Sequence, residues 1–136
     1  MQIAVVVDSN ILFRILISQG DILEIIFNPK TKLYAPFKLK EEFEKHKKEL
    51  IQKTRLSEDN FEKLVGLIFK KISFIPIEQY ETFIESARRL LKNHLKDEDF
   101  VALALSLKTK IWTYEDLLFK IGIGLSTKEI AQKLSQ

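Results

Sequence analysis

Residues 3–16 read Ile-Ala-Val-Val-Val-Asp-Ser-Asn-Ile-Leu-Phe-Arg-Ile-Leu. A short, unbroken apolar run that stops at Asp8 predicts a strand buried on both faces, the kind found in parallel sheets. Beyond it Ile11, Leu12, Ile15 and Leu16 recur at helical spacing, and Ser9 or Asn10 stands where a helix cap belongs. The chain therefore opens as strand, acid, helix, with the acid at the carboxyl end of the strand.

The same alternation continues outward from this unit. Residues 21–27 predict a short helix, stopped by Asn28 and Pro29. Further strands are expected at 32–35, 72–75 and 110–113, with 122–125 as a fifth. Pro36 opens a long charged helix through about Lys53, and Ser57 caps another that runs to the third strand. Residues 80–93 and 97–107 also predict helices. The second of these is small or apolar at nearly every position after Asp99, so deep burial is expected. A helical turn covers 115–121, and Ser126 and Glu129 have capping-box spacing for a last helix. Strands alternating with helices give an α/β class with a parallel sheet under helices. No repeat, linker or low-complexity stretch interrupts residues 1–136, so one domain is expected.

The chain has no cysteine, which excludes disulfides, thiolate zinc sites and cysteine nucleophiles. Hydrophobic residues make up 46%, enough for one core without covalent staples. No apolar run approaches the roughly 20 residues of a membrane span, and no signal-peptide pattern is present. A soluble, cytoplasmic protein is the expectation. The formal charge of +3 permits a nucleic-acid partner without requiring one.

Ligands of such sheets bind outside the carboxyl ends of the strands. Asp8 follows the first strand, and Glu115 and Asp116 follow the fourth. Glu42 lies in the first two turns of the helix after the second strand, and Asp99 in the first turn of the helix before the fourth. Four segments thus bring carboxylates to one rim. Packed carboxylates repel, and a divalent cation removes the penalty; hard oxygen ligands suit Mg²⁺ or Mn²⁺. Each acid also has a plainer reading. Asp8 could serve only as a turn or helix cap, and Glu42 sits among Glu41, Glu44, Lys45 and Lys48, whose spacing describes a solvated face. Asp97 and Glu98 read as caps of the buried helix, and His46 and His94 as surface residues.

At this point the sequence resembles the PIN (PilT N-terminus) domain family, including its VapC-like ribonucleases. The stretch from Val5 to Leu12 is similar to the family's opening strand with Asp-Ser/Thr-Asn. Leu39-Lys-Glu-Glu-Phe43 matches the helical position of its second acid, at Glu42. The run from Asp99 through Thr113 resembles its third acid, a small-residue helix and a strand. Thr113-Tyr-Glu-Asp116 stands where the family usually has Thr/Ser-x-Asp, so the fourth acid is Glu115 by spacing or Asp116 by residue type. The resemblance implies a three-layer α/β/α sandwich and a metal-dependent ribonuclease. It also implies Asn10 and Thr113 as groups that orient water or carboxylates. Many relatives are toxins of VapBC-type toxin–antitoxin pairs, which implies an antitoxin protein as partner and a homodimer.

The reaction these residues suit is hydrolysis of RNA phosphodiesters, with Asp8, Glu42, Asp99 and Glu115 holding one or two Mg²⁺ or Mn²⁺ ions that activate a water. Arg14, Lys38 and Lys40 are candidate phosphate contacts by position, or ordinary solvated charges. A phosphatase of the haloacid dehalogenase type would need a second Asp where Asn10 stands. A receiver domain would need an Asp after the third strand, where residues 74–79 offer none. A non-catalytic module that binds RNA or protein on the same fold is the remaining alternative.

Overall fold

The computed structural model describes residues 2–136. Five strands, β1 (Ile3–Val7), β2 (Thr31–Pro36), β3 (Ile72–Ile75), β4 (Lys110–Trp112) and β5 (Gly124–Leu125), form one all-parallel sheet in the order β3-β2-β1-β4-β5. β1 is the central strand, with Val5, Val6 and Val7 shut away from solvent, which is why it carries an unbroken β-branched run.

Helices α1 (Ser9–Ser18), α2 (Ile22–Ile26), α3 (Lys38–Lys53) and α4 (Glu58–Lys71) carry the chain from β1 through β2 to β3. α5 (Ile84–Leu91) and α6 (Glu98–Leu107) bring it back to β4, and α7 (Asp116–Lys120) precedes β5; α8 (Thr127–Leu134) ends the fold. α1 packs on α3 and α4, whereas α6 packs on α5 and crosses β1, β2 and β4. Right-handed crossovers in opposite directions from β1 put these two helix groups on opposite faces, giving three layers. Between β1 and β4 the strand order reverses, so the departing chain opens a crevice at their carboxyl ends.

Local chemistry explains the element ends. Asp8, rather than Ser9 or Asn10, is the cap of α1: its Oδ1 accepts the Asn10 amide at 3.0 Å. Ser57 caps α4, and Ser126 with Glu129 forms the expected capping box on α8. The helix expected over 80–93 is regular only over α5; tight 3-10 turns at Ile77–Gln79 and Glu81–Phe83 precede it. They turn around Tyr80, whose buried ring draws the chain inward and whose hydroxyl donates to Asp99 at 2.7 Å. β5 starts two residues late because Gly122 takes a left-handed turn at φ 84°. No helix is long and apolar enough to cross a membrane among the described residues.

Candidate active site

The pairing of β1 with β4, and of β4 with β5, extends one residue beyond the ends of β1 and β4. The Asp8 amide donates to the Trp112 carbonyl at 3.2 Å, and the Thr113 amide to the Leu125 carbonyl at 3.3 Å. Asp8 and Thr113 therefore stand side by side at the mouth of the crevice, both buried. The Thr113 hydroxyl donates to Asp8 Oδ2 at 2.6 Å and accepts the Glu115 amide at 2.9 Å. One buried hydroxyl thus fixes the first acid and the backbone that carries another.

Glu115 is half-buried and turned inward. Its Oε1 accepts the Asn10 side-chain amide at 3.3 Å and lies 3.6 Å from the Lys96 ammonium. Asp116, at the start of α7, is exposed. Asp97 closes the 3-10 turn Leu95–Asp97 that leads into α6; it is buried, and its side chain caps nothing. Its Oδ2 is a buried oxygen without a hydrogen-bond partner. Burial pushes the Asp97 carboxyl up to about 7, and the adjacent Glu115 and then Asp8 add to the rise. Asp8 is also raised, by burial first; Thr113 and the Asn10 amide oppose the rise, while Glu115 and Glu42 reinforce it. Asp8, Glu42, Asp97 and Glu115 therefore share one electrostatic neighbourhood, drawn from β1, α3, the approach to α6 and the β4–α7 connection.

A model of the PIN domain family matches residues 6–135. The chain belongs to the PIN domain family. PIN domains are commonly nucleases and typically use divalent metals. No curated protein gives a significant match to the chain.

The acids of this PIN domain fit a hard divalent cation in chemistry. All the donors are carboxylate oxygens, and Asp97 Oδ2 is a buried lone-pair donor that the fold leaves unused. As placed, no three His, Cys, Asp or Glu side chains among the described residues stand close enough to hold one ion. Burial raises Asp8 and Asp97 most, and the neighbouring acids raise them further, a penalty that a bound cation would relieve.

Asp99, expected in the cluster, does not join it. Its Oδ2 accepts from Tyr80 and its side chain lines a separate cleft with Lys38, Glu41 and Glu78. Asp97 ends the 3-10 turn and Asp99 lies in the first turn of α6, so the two side chains leave the backbone in different surroundings: Asp97 beside Glu115 and Asp8, Asp99 beside Tyr80. Periodicity could not choose between them: Phe100, Val101, Ala102, Leu103 and Ala104 are all buried, and a helix covered on all sides has no polar face to orient its acids. The signal for Asp97 in the sequence is the run of three acids at 97–99; Asp97 stands at the cap position of α6, as expected, but its side chain makes no cap hydrogen bond.

The basic candidates disperse. Arg14 lies over the Tyr114 ring, 4.2 Å from guanidinium carbon to centroid. Lys38 lines the Asp99 cleft, and Lys40 is enclosed by Phe37, Phe69 and Phe74, 4.3 Å from the last ring centroid. His46 packs edge-on against Phe13, and His94 is exposed.

Thr113→Val tests the scaffold of this cluster. It strips Asp8 of its buried donor and leaves the Glu115 amide unpaired, so stability is expected to fall by about 1–3 kcal/mol. Thermal melting with and without Mn²⁺ checks it; an unchanged melt would mean that the hydroxyl does not hold the cluster.

Proposed function

We propose that Asp8, Glu42, Asp97 and Glu115 hold one or two Mg²⁺ or Mn²⁺ ions and that the chain is an endoribonuclease that hydrolyses RNA phosphodiesters. The observation that carries this reading is Asp97: a buried carboxylate with an unpartnered oxygen, set against two further acids at the sheet's switch point. Burying such a group costs stability unless something compensates it; Glu115 and Asp8 work against its ionised form and only Lys96 works for it. In this reading Asp97 replaces Asp99 as third acid, and Glu115 is preferred to Asp116 because it is the one turned inward.

A cation bound there would lower the pKa of a water and offset charge gathering on the phosphate. The protein's own work is positional. Thr113 and the Asn10 backbone hold Asp8 at both oxygens, while the Asn10 side chain and Lys96 hold Glu115. Such partners fix the angle at which a carboxylate meets a cation. No side chain is required as a covalent nucleophile.

Incubating the purified chain with a labelled single-stranded RNA tests the proposal. Cleavage is expected with Mn²⁺ or Mg²⁺, to stop with EDTA and to return when metal is restored. Cleavage indifferent to EDTA would overturn it. The spread of the acids favours one second reading, a module that binds RNA without cutting it; RNA retention with no cleavage in either metal would select that reading. The finer role, the toxin of a toxin–antitoxin pair acting as a homodimer, is tested by the gene immediately upstream. A small reading frame with a DNA-binding start supports it.

A further inference from the structure

Two clefts flank the acid cluster, and their linings differ in charge. On the β2–β3 side the cleft is lined by three carboxylates, Glu41, Glu78 and Asp99, against Lys38. On the α1 side a cleft of about 450 Å³ is lined by Asn10, Arg14, Ile17, Ser18 and Tyr114, with no carboxylate. Asn10 joins this second cleft to the cluster, since its side chain also donates to Glu115. Asn10 and Arg14 are one turn apart on α1, so the cleft follows one face of that helix away from the acids.

Tyr114 is anchored rather than loose. Its hydroxyl shares a 2.9 Å hydrogen bond with Thr127, which accepts the Trp112 indole N–H at 2.9 Å. The ring is nonetheless 38% exposed, an aromatic surface held from the far end. Arg14 lies over it and, among the described residues, its guanidinium makes no hydrogen bond or ion pair. A guanidinium resting on a ring keeps its N–H donors in its own plane, available to an anion. A fixed π surface beside a cation with unused donors is the chemistry that takes hold of a nucleotide: stacking for the base, a forked contact for the phosphate.

We propose that Arg14 and Tyr114 form a subsite for the nucleotide next to the scissile phosphate, so that the RNA approaches the acids along α1 and not across the β2–β3 cleft. Arg14 contacts the flanking phosphate, and the Arg14–Tyr114 stack carries the base. This rests on the nuclease reading, because the acid cluster defines the point the subsite flanks. Phosphates are repelled by the three carboxylates on the other side, whereas the α1 cleft offers the Arg14 cation on a wall lined by no acid.

The test measures cleavage of a fluorescein-labelled ten-nucleotide single-stranded RNA in Mn²⁺, and its binding by anisotropy in Ca²⁺, for Arg14→Ala, Tyr114→Ala, Tyr114→Phe and the charge-matched control Lys110→Ala on the opposite sheet edge. Tyr114→Ala is expected to raise KM and Kd by about 10-fold or more, the effect of losing one stacked base, with kcat within about twofold. Arg14→Ala is expected to weaken binding similarly and to lower the salt slope by about one. Tyr114→Phe should restore binding, because the ring remains, and Lys110→Ala should match wild type. Melting curves establish that each variant is folded. If both alanine variants bind and cut like wild type, the subsite is wrong and the nuclease stands. If wild type neither binds nor cuts the RNA, the nuclease reading falls and the subsite with it.

Discussion

Asp97→Asn is expected to lower metal-dependent RNA cleavage by more than the ~100-fold that losing an outer partner of a metal ligand costs, while Asp99→Asn keeps most of the activity. The two residues share one helix entrance but not one environment. Asp97 is buried against Glu115 and Asp8 with its Oδ2 unpartnered, so an amide there removes a charge from the cluster at almost no change in size. Asp99 holds Tyr80, and an asparagine oxygen can accept the same phenol hydrogen bond. Initial rates in Mn²⁺, with melting curves for each variant, decide the matter. A fully active Asp97→Asn would remove Asp97 from the site, and a larger loss at Asp99 than at Asp97 would make Asp99 the third acid.

Mn²⁺ at 100 times its dissociation constant is expected to stabilise the wild-type fold by about 2.7 kcal/mol, a rise in Tm of roughly 10 °C for a domain of this size. The effect depends on pH with a definite sign. Asp97 holds its proton up to about 7 in the folded protein, against 3.8 as its ordinary value. Between those values the folded state keeps a proton that the unfolded chain has released. Without metal, this group therefore adds stability as pH falls from about 7 toward about 4, and loses it as pH rises through 7. A cation needs the ionised carboxylate, so the Mn²⁺ shift should be large at pH 8 and shrink on acidification below 7. Asp97→Asn should raise the Tm of the metal-free protein at pH 8, flatten its dependence on pH and remove most of the Mn²⁺ shift. Melting curves in EDTA and in millimolar Mn²⁺ at pH 5.5 and 8 test each of these. No shift in wild type at pH 8 would mean that the acids do not form a competent metal site.

How much of this was legible beforehand differs between the strands and the acids. A buried parallel strand has to be an apolar run, and a helix covering a sheet has to show a 3.6-residue stripe, so residues 3–16 announced the fold class and the position of Asp8 directly. Ser126 and Glu129 announced the last helix because a capping box is a contact between residues three apart. Those are local constraints, and sequence order records local constraints. The tertiary structure decided what depends on residues far apart in the chain. Thr113 meets Asp8 across 105 positions through a strand pairing. Asp97 lies beside Glu115 and Asp8, and Asp99 beside Tyr80, because of how the 3-10 turn and the buried helix after it are seated, and no periodicity encodes that seating. Arg14 finds Tyr114, and Lys40 is enclosed by phenylalanines, because of which elements lie adjacent in space. The sequence determined that carboxylates would gather at the carboxyl edge of a parallel sheet; only packing decided which of them look inward, because side-chain direction at a helix entrance is set by its neighbours and not by its own residues.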